Sequence, residues 1–203
     1  QKGTLFQSEL TDSVPVYLIE HDGYYNREHI YGEPGSDYPD SLERFAYFCR
    51  VILEAAKKLD FKPDIIHCND WHTGLIPVYL KTDPWFSQTK TLFSIPNLGY
   101  QGNFPYSQLV TTGLDESLFR EEGIEFYGQI SFLKGGLIFA DILTTVSPAY
   151  SKEIQTPELG FSMEGILQKR SNQLQGILNG VDYTVWNPET DPLIPTNYGP
   201  QSL

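Results

Sequence analysis

Positive charge is scarce in this chain: 14 Lys and Arg stand against 26 Asp and Glu, a net charge of −12 over 203 residues. So small a basic complement excludes a broad electrostatic surface for nucleic acid or an anionic membrane, while a neutral polysaccharide is not repelled. Cysteine is scarcer still. Cys49 falls in a helical pattern and Cys68 in a strand pattern, so the two read as small core residues rather than a disulfide, and a reducing compartment fits. No stretch approaches the roughly 20 apolar residues of a membrane span, and the best one, 135–146, is broken by Asp141. There is no signal-peptide pattern, no Asn-x-Ser/Thr sequon, no Walker A loop and no Gly-x-Gly-x-x-Gly fingerprint. Gly160-Phe161-Ser162-Met163-Glu164 lacks the second glycine of a nucleophile elbow. Hydrolase and ordinary dehydrogenase chemistry therefore rank low.

What is present is a ring-rich, foldable composition: 40% hydrophobic and 14% aromatic residues against 20% charged. The length suits one well-cored domain, assigned to residues 1–186, followed by a proline-rich stretch, 187–203, that reads as a linker with more chain expected beyond it. Val14 to Glu20 predicts a strand. From Asp40, apolar residues at Leu42, Phe45, Ala46, Cys49, Ile52, Leu53 and Ala56 predict a helix ending near Lys58, with Asp40 and Glu43 spaced as a capping box. Further strands are expected at 64–68, 90–95, 142–146 and 176–178. Helices are expected at 73–81, 127–140, 149–154 and 163–171, the third opened by Ser147 and Pro148. Strands separated by helices imply an α/β, Rossmann-like, mainly parallel sheet with right-handed crossovers and helices on both faces.

Each predicted strand ends in groups able to hold a sugar or a phosphate: His21 and Asp22, Asn69 to His72, Asn97, Ser147 and Asn179. Five such ends on one edge of one sheet favour a binding cleft there. Asp70 and His72 can hydrogen-bond hydroxyls, and Trp71 offers an apolar face to a pyranose ring. Two other readings compete: a helix N-terminus capped by Asn69 or Asp70 with Trp71 merely packed, and a metal site using His67, Asp70 and His72. Strand alternation turns His67 away from the other two.

The cluster Asn69-Asp70-Trp71-His72 resembles the His-Asp-Trp-His motif of bacterial glycogen synthases and plant starch synthases. The segment from Thr91 to Gly102 is similar to the same family's strand ending in Ile-His-Asn and its Tyr-Gln-Gly turn, with Pro96 in the histidine's place. Asn179-Gly180-Val181-Asp182 and the block from Tyr127 to Asp141 also match. These residues resemble the N-terminal half of a two-Rossmann-domain, B-type glycosyltransferase. The resemblance implies transfer of glucose from ADP-glucose to the non-reducing end of an α-1,4-glucan, with retention. It implies no resident cofactor and no metal, and it implies partners in the glucan, the donor and a C-terminal Rossmann-like domain. The location would be cytoplasmic in a bacterium or plastid in a plant or alga. It further implies that Asp70 acts at the anomeric carbon, that His72, Asn97 and Asn179 fix hydroxyls, and that Trp71, Tyr100, Gln101 and Gly102 shape the pocket, with Tyr31 a candidate for the acceptor glucan. The family's Lys-Thr-Gly-Gly-Leu loop and its diphosphate-gripping domain are not within these residues, so the segment alone is expected to be inactive. Loss of the family histidine at Pro96 leaves open a non-catalytic glucan-binding paralogue, and a UDP-glucose-dependent transferase is the third reading.

Overall fold

The computed structural model describes residues 2–11 and 14–202. Its centre is a four-stranded parallel sheet made by β5 (Ile65–Asn69), β6 (Lys90–Ile95), β10 (Ile142–Thr145) and β11 (Leu174–Gly176), in spatial order β11-β10-β6-β5. Each successive strand is added on the same side of the one before it. One face carries the buried Cys68, Phe93, Ile95, Leu143 and Leu174, whereas Ile65, His67, Asn69, Lys90, Ile142 and Gln175 on the opposite face are exposed. The expected parallel α/β sheet is present; the second face is more open, although Thr144 is buried and Leu92 and Ser94 half-buried there.

Helix α2 (Ser41–Lys58) forms because Leu42, Phe45, Ala46, Cys49 and Leu53 recur on one stripe that the core buries, and Lys57 and Lys58 complement its carboxyl end. Asp60 in the left-handed region, at φ 50°, then turns the chain away. The expected capping box does not form. Asp40 accepts instead from Arg27 Nη1 at 2.8 Å, and Glu43 accepts from the Tyr24 hydroxyl. Tertiary partners thus displace the local one.

Other boundaries differ for identifiable reasons. The strand β2 (Val14–Glu20) does not join the central sheet but pairs antiparallel with β1 (Thr4–Thr11), so His21 and Asp22 leave the row of strand ends. They lie in and just before a short helix, α1 (Asp22–Tyr25), ahead of a two-residue hairpin, β3 (Gly32–Glu33) with β4 (Ser36–Asp37). The helix expected over 73–81 is a 3-10 turn, Trp71–Thr73, followed by α3 (Ile76–Leu80). The helix expected over 127–140 starts five residues late, as α5 (Phe132–Phe139). Before it, Tyr127 (φ 49°) and Gly128 (φ 76°) make a tight two-residue turn. That turn joins β8 (Glu125–Phe126) to β9 (Gln129–Ser131), which also pairs with β7 (Asn103–Pro105). A short helix α4 (Leu109–Thr112) lies between β7 and β8. Ser147 caps α6 (Pro148–Glu153) by accepting from Tyr150 N, and α7 (Glu164–Lys169) follows. Strand β11 comes two residues before its expected place, because pairing Leu174 with Leu143 buries Leu174 and leaves Ile177 and Leu178 outside.

Candidate active site

The ends of β5, β6, β10 and β11 form one carboxyl edge, the position where open α/β sheets bind ligands. At β5 the chain stops sharply. Asp70 takes φ 66° and ψ 170°, a conformation that disfavours any residue with a Cβ. It is held by surrounding bonds: Asp70 N donates to Ser94 O at 3.0 Å, and the Asp70 carboxylate accepts from Trp71 N at 2.7 Å. Thr73 Oγ1 donates to the carbonyls of Asn69 and Asp70, both at 3.0 Å. The capping reading and the sugar reading are therefore not exclusive. One carboxylate oxygen caps the turn, and the other, Oδ2, lies 3.7 Å from His72 Nδ1.

His72 sits among rings, with Trp71, Phe45 and Tyr31 at centroid distances of 4.0, 4.7 and 5.4 Å. Burial pushes its pKa down from 6.5, Asp70 pulls it up, and Arg44 adds to the lowering. At neutral pH the imidazole is neutral, so its contact with Asp70 is one of polar groups rather than an ion pair. Its Nε2 is buried and has no hydrogen-bond partner within the chain. A buried nitrogen of this kind is a ready partner for a ligand hydroxyl.

Trp71 is only 9% exposed, packed by Phe45, Phe104 and Phe132. Gly102, at φ 56°, lies directly against it: a Cβ there would come within 2.2 Å of Trp71 Cε3. A hollow of about 190 Å³ opens beside this contact, walled by Tyr31, Phe45, Trp71, Tyr100, Gln101 and Gly102. A second of about 590 Å³ adjoins it, walled by Tyr31, Arg44, Phe48, Asn69, His72 and Thr73. Tyr31 and Phe45 belong to both. Helix α2 supplies Arg44, Phe45 and Phe48, none of which a motif search marks, because in the sequence they are part of an ordinary apolar helical stripe.

The β6 end is built differently. Asn97 is exposed, and its Oδ1 accepts from Gly99 N at 2.9 Å, which folds the turn onto itself. Tyr100 projects at 65% exposure. Gln101 is anchored, with its Nε2 donating to Phe161 O at 2.9 Å and its own carbonyl accepting from Ser131 Oγ and Leu133 N, both at 3.1 Å. Asn179 is exposed three residues beyond β11, at the far side of the sheet from Asp70. Three strand spacings put those two ends roughly 14 Å apart. The candidate residues thus fall into a close group, Tyr31, Asp70, Trp71, His72, Tyr100, Gln101 and Gly102, with Asn97 at its margin and Asn179 across the edge.

His67 is elsewhere, with Nε2 2.7 Å from Ser94 Oγ on the open sheet face, and among the described residues no group of three His, Cys, Asp or Glu is placed to hold a metal. Asp70 lines neither hollow but stands behind His72, so the close group offers a neutral imidazole with an unoccupied nitrogen and aromatic walls, with a carboxylate beside them. That set can grip hydroxyls and steady positive charge developing on a sugar carbon.

Residues 1–169 match the family described as the starch synthase catalytic domain. The chain belongs to that family. It is 48% identical over 205 residues to a glycogen synthase of Syntrophotalea carbinolica, covering 99% of this chain and 42% of the relative. A glycogen synthase of Thermotoga maritima is also 48% identical, over 203 residues, with 98% and 41% covered. Among solved structures, the catalytic domain of starch synthase IV from Arabidopsis thaliana, bound to ADP and acarbose, superimposes with a TM-score of 0.81 at 32% identity. That match covers 98% of this chain and 41% of the other. The chain therefore spans about two fifths of the length of these starch and glycogen synthases.

Proposed function

We propose that the protein containing these residues is a glycogen or starch synthase that transfers glucose from ADP-glucose to the non-reducing end of an α-1,4-glucan with retention. In this reading the present chain supplies the acceptor-side wall and part of the sugar pocket. A C-terminal Rossmann-like domain supplies the positive charge for the diphosphate, and no resident cofactor takes part. The observation that carries the reading is Asp70. A carboxylate residue is held in a disfavoured backbone conformation at the carboxyl edge, beside a neutral His72 with a free nitrogen, in a chain with glycogen synthase relatives along its whole length. Conformational strain retained at a cleft marks a residue whose position matters to function. Asp70 would stabilise positive charge at the anomeric carbon, His72 would bind a sugar hydroxyl, and Asn97 and Asn179 would hold more distant hydroxyls. Trp71, Tyr100, Gln101 and Gly102 would shape the sugar pocket, and Tyr31 would meet the acceptor. A cytoplasmic location follows for a bacterial protein, and a plastid location for one from a plant or alga.

The test is glucose incorporation into glycogen by the full-length protein, with ADP-glucose and UDP-glucose compared. Wild type should prefer ADP-glucose, and Asp70→Asn should lower kcat by about 10²- to 10³-fold, the range for losing one preorganised electrostatic group. A silent wild type that Pro96→His activates would establish the non-catalytic paralogue instead. An active wild type indifferent to Asp70→Asn would overturn the site assignment.

A further inference from the structure

Phe161 belongs to no part of the site described so far, yet it is tied to it. Residues 154–163 join α6 to α7, and within them Phe161 and Ser162 have φ of 50° and 66°. They are the one adjacent pair of non-glycine residues in the left-handed region among the described residues. Glycine would adopt this path without penalty. The segment is fixed from below: Met163 is fully buried and its N donates to Gly160 O at 2.8 Å, while Gly160 N donates to Thr156 O at 2.7 Å. It is fixed from the side by the bond from Gln101 Nε2 to Phe161 O.

These restraints hold the Phe161 ring outward. It remains 53% exposed, although Met163, Leu167 and Ile154 nearby are completely buried. Its edge lies over the β6 turn, where a Cβ on Gly99 would come within 3.5 Å of Phe161 Cζ. Next in sequence to Gly99 stands the exposed ring of Tyr100. Two large rings therefore project side by side at the carboxyl edge, one from the β6 turn and one from the α6–α7 connection, and the two segments are joined by the bond from Gln101 to Phe161 O. An exposed aromatic ring on a fixed backbone is a platform for the apolar C–H face of a sugar.

We propose that Phe161 is a glucan-contacting residue, a platform beside Tyr100 that supports the α-glucan acceptor at the mouth of the sugar pocket. This deepens the glucosyltransferase reading and rests on it for the identity of the ligand. Tyr127 provides the contrast. It is also a positive-φ residue and is 78% exposed, but it sits at the β8–β9 turn with its ring against Phe126.

The experiment uses the full-length protein and its Phe161→Ala, Phe161→Trp and Tyr127→Ala variants. KM for maltoheptaose and for ADP-glucose, kcat, thermal midpoint and retention in glycogen-containing native gels are measured. Phe161→Ala should raise the maltoheptaose KM about five- to tenfold, a loss of roughly 1.0–1.4 kcal/mol, with kcat and the ADP-glucose KM within about twofold of wild type. Phe161→Trp should restore the acceptor KM, and Tyr127→Ala should leave it unchanged. An unchanged acceptor KM in Phe161→Ala, or a loss of kcat in step with a lowered thermal midpoint, would show a packing role and overturn the proposal. An equal KM rise in Tyr127→Ala would overturn it as well. If the wild type transfers no glucose, the glucosyltransferase reading fails separately. Gel retention then decides the platform: weaker retention of Phe161→Ala supports it, and equal retention refutes it.

Discussion

Replacing Gly102 by alanine tests the construction of the site most directly, because two separate penalties fall on one methyl group. The first is conformational: at φ 56° a residue with a Cβ is disfavoured by about 1–2 kcal/mol. The second is steric. The new carbon would lie 2.2 Å from Trp71 Cε3 and 2.9 Å from Cδ2, both ring atoms of a side chain already enclosed by Phe45, Phe104 and Phe132. Overpacking of this kind destabilises by about 1–3 kcal/mol. The sum, about 2–5 kcal/mol, corresponds to a fall in thermal midpoint of about 5–15 °C for a chain of this size. Because Trp71 N caps onto Asp70 and the Trp71 ring lies on His72, relief by moving the indole would also displace the polar pair. Thermal unfolding of Gly102→Ala, Trp71→Phe and the double variant measures the effect, since Phe lacks the indole's second ring and relieves the overlap. The double variant should recover at least about 1 kcal/mol relative to the sum of the singles. A Gly102→Ala midpoint within one or two degrees of wild type, or strict additivity, would refute the account of Trp71 as a wedged residue.

Two further outcomes are expected. The lowered pKa of His72 means that the native state resists a proton that the unfolded chain accepts, so its contribution to stability is complete above about pH 6.5 and declines as pH falls below it. His72→Gln should flatten that limb of a stability–pH curve, and an unchanged slope would contradict the burial argument. Arg44 is buried and donates to Tyr24 O and Ile30 O, both at 2.9 Å. Arg44→Leu removes both of these bonds, at about 1–3 kcal/mol for a carbonyl that stays buried without a replacement. It should also speed amide exchange across residues 22–38, which carry Tyr31; exchange there that matches wild type would show that the loop is held by something else.

The central sheet was legible because Ile65–Cys68, Lys90–Ile95 and Ile142–Val146 are short apolar or β-branched runs bounded by turn residues, and local pattern decides such strands. Residues 127–131 were not, because Ile130 fits a helical stripe as well as a strand. What decides is the pairing of Ile130 with Phe104, a contact across 26 positions. The Asp70 cluster was legible as polar and aromatic residues at a strand end, but the same four residues also read as a capped, packed turn, and Asp70 does cap one and Trp71 is packed. The contribution of α2 was not: Arg44 and Phe45 acquire their role only when the loop carrying Tyr31 folds over them. Phe161 was hidden similarly, as the bond from Gln101 spans 60 residues and leaves no local signature.

The more open side of the sheet has a colloidal consequence. Ile65 and Ile142 lie solvent-facing there, and among the described residues no strand pairs with the outer edge of β5. Like protein surfaces of this type adhere, and free strand edges invite pairing between copies. Opposing this is the −12 charge, whose repulsion weakens as added salt shortens its reach. For these residues in isolation, ionic strength sets the balance between dispersed molecules and self-association.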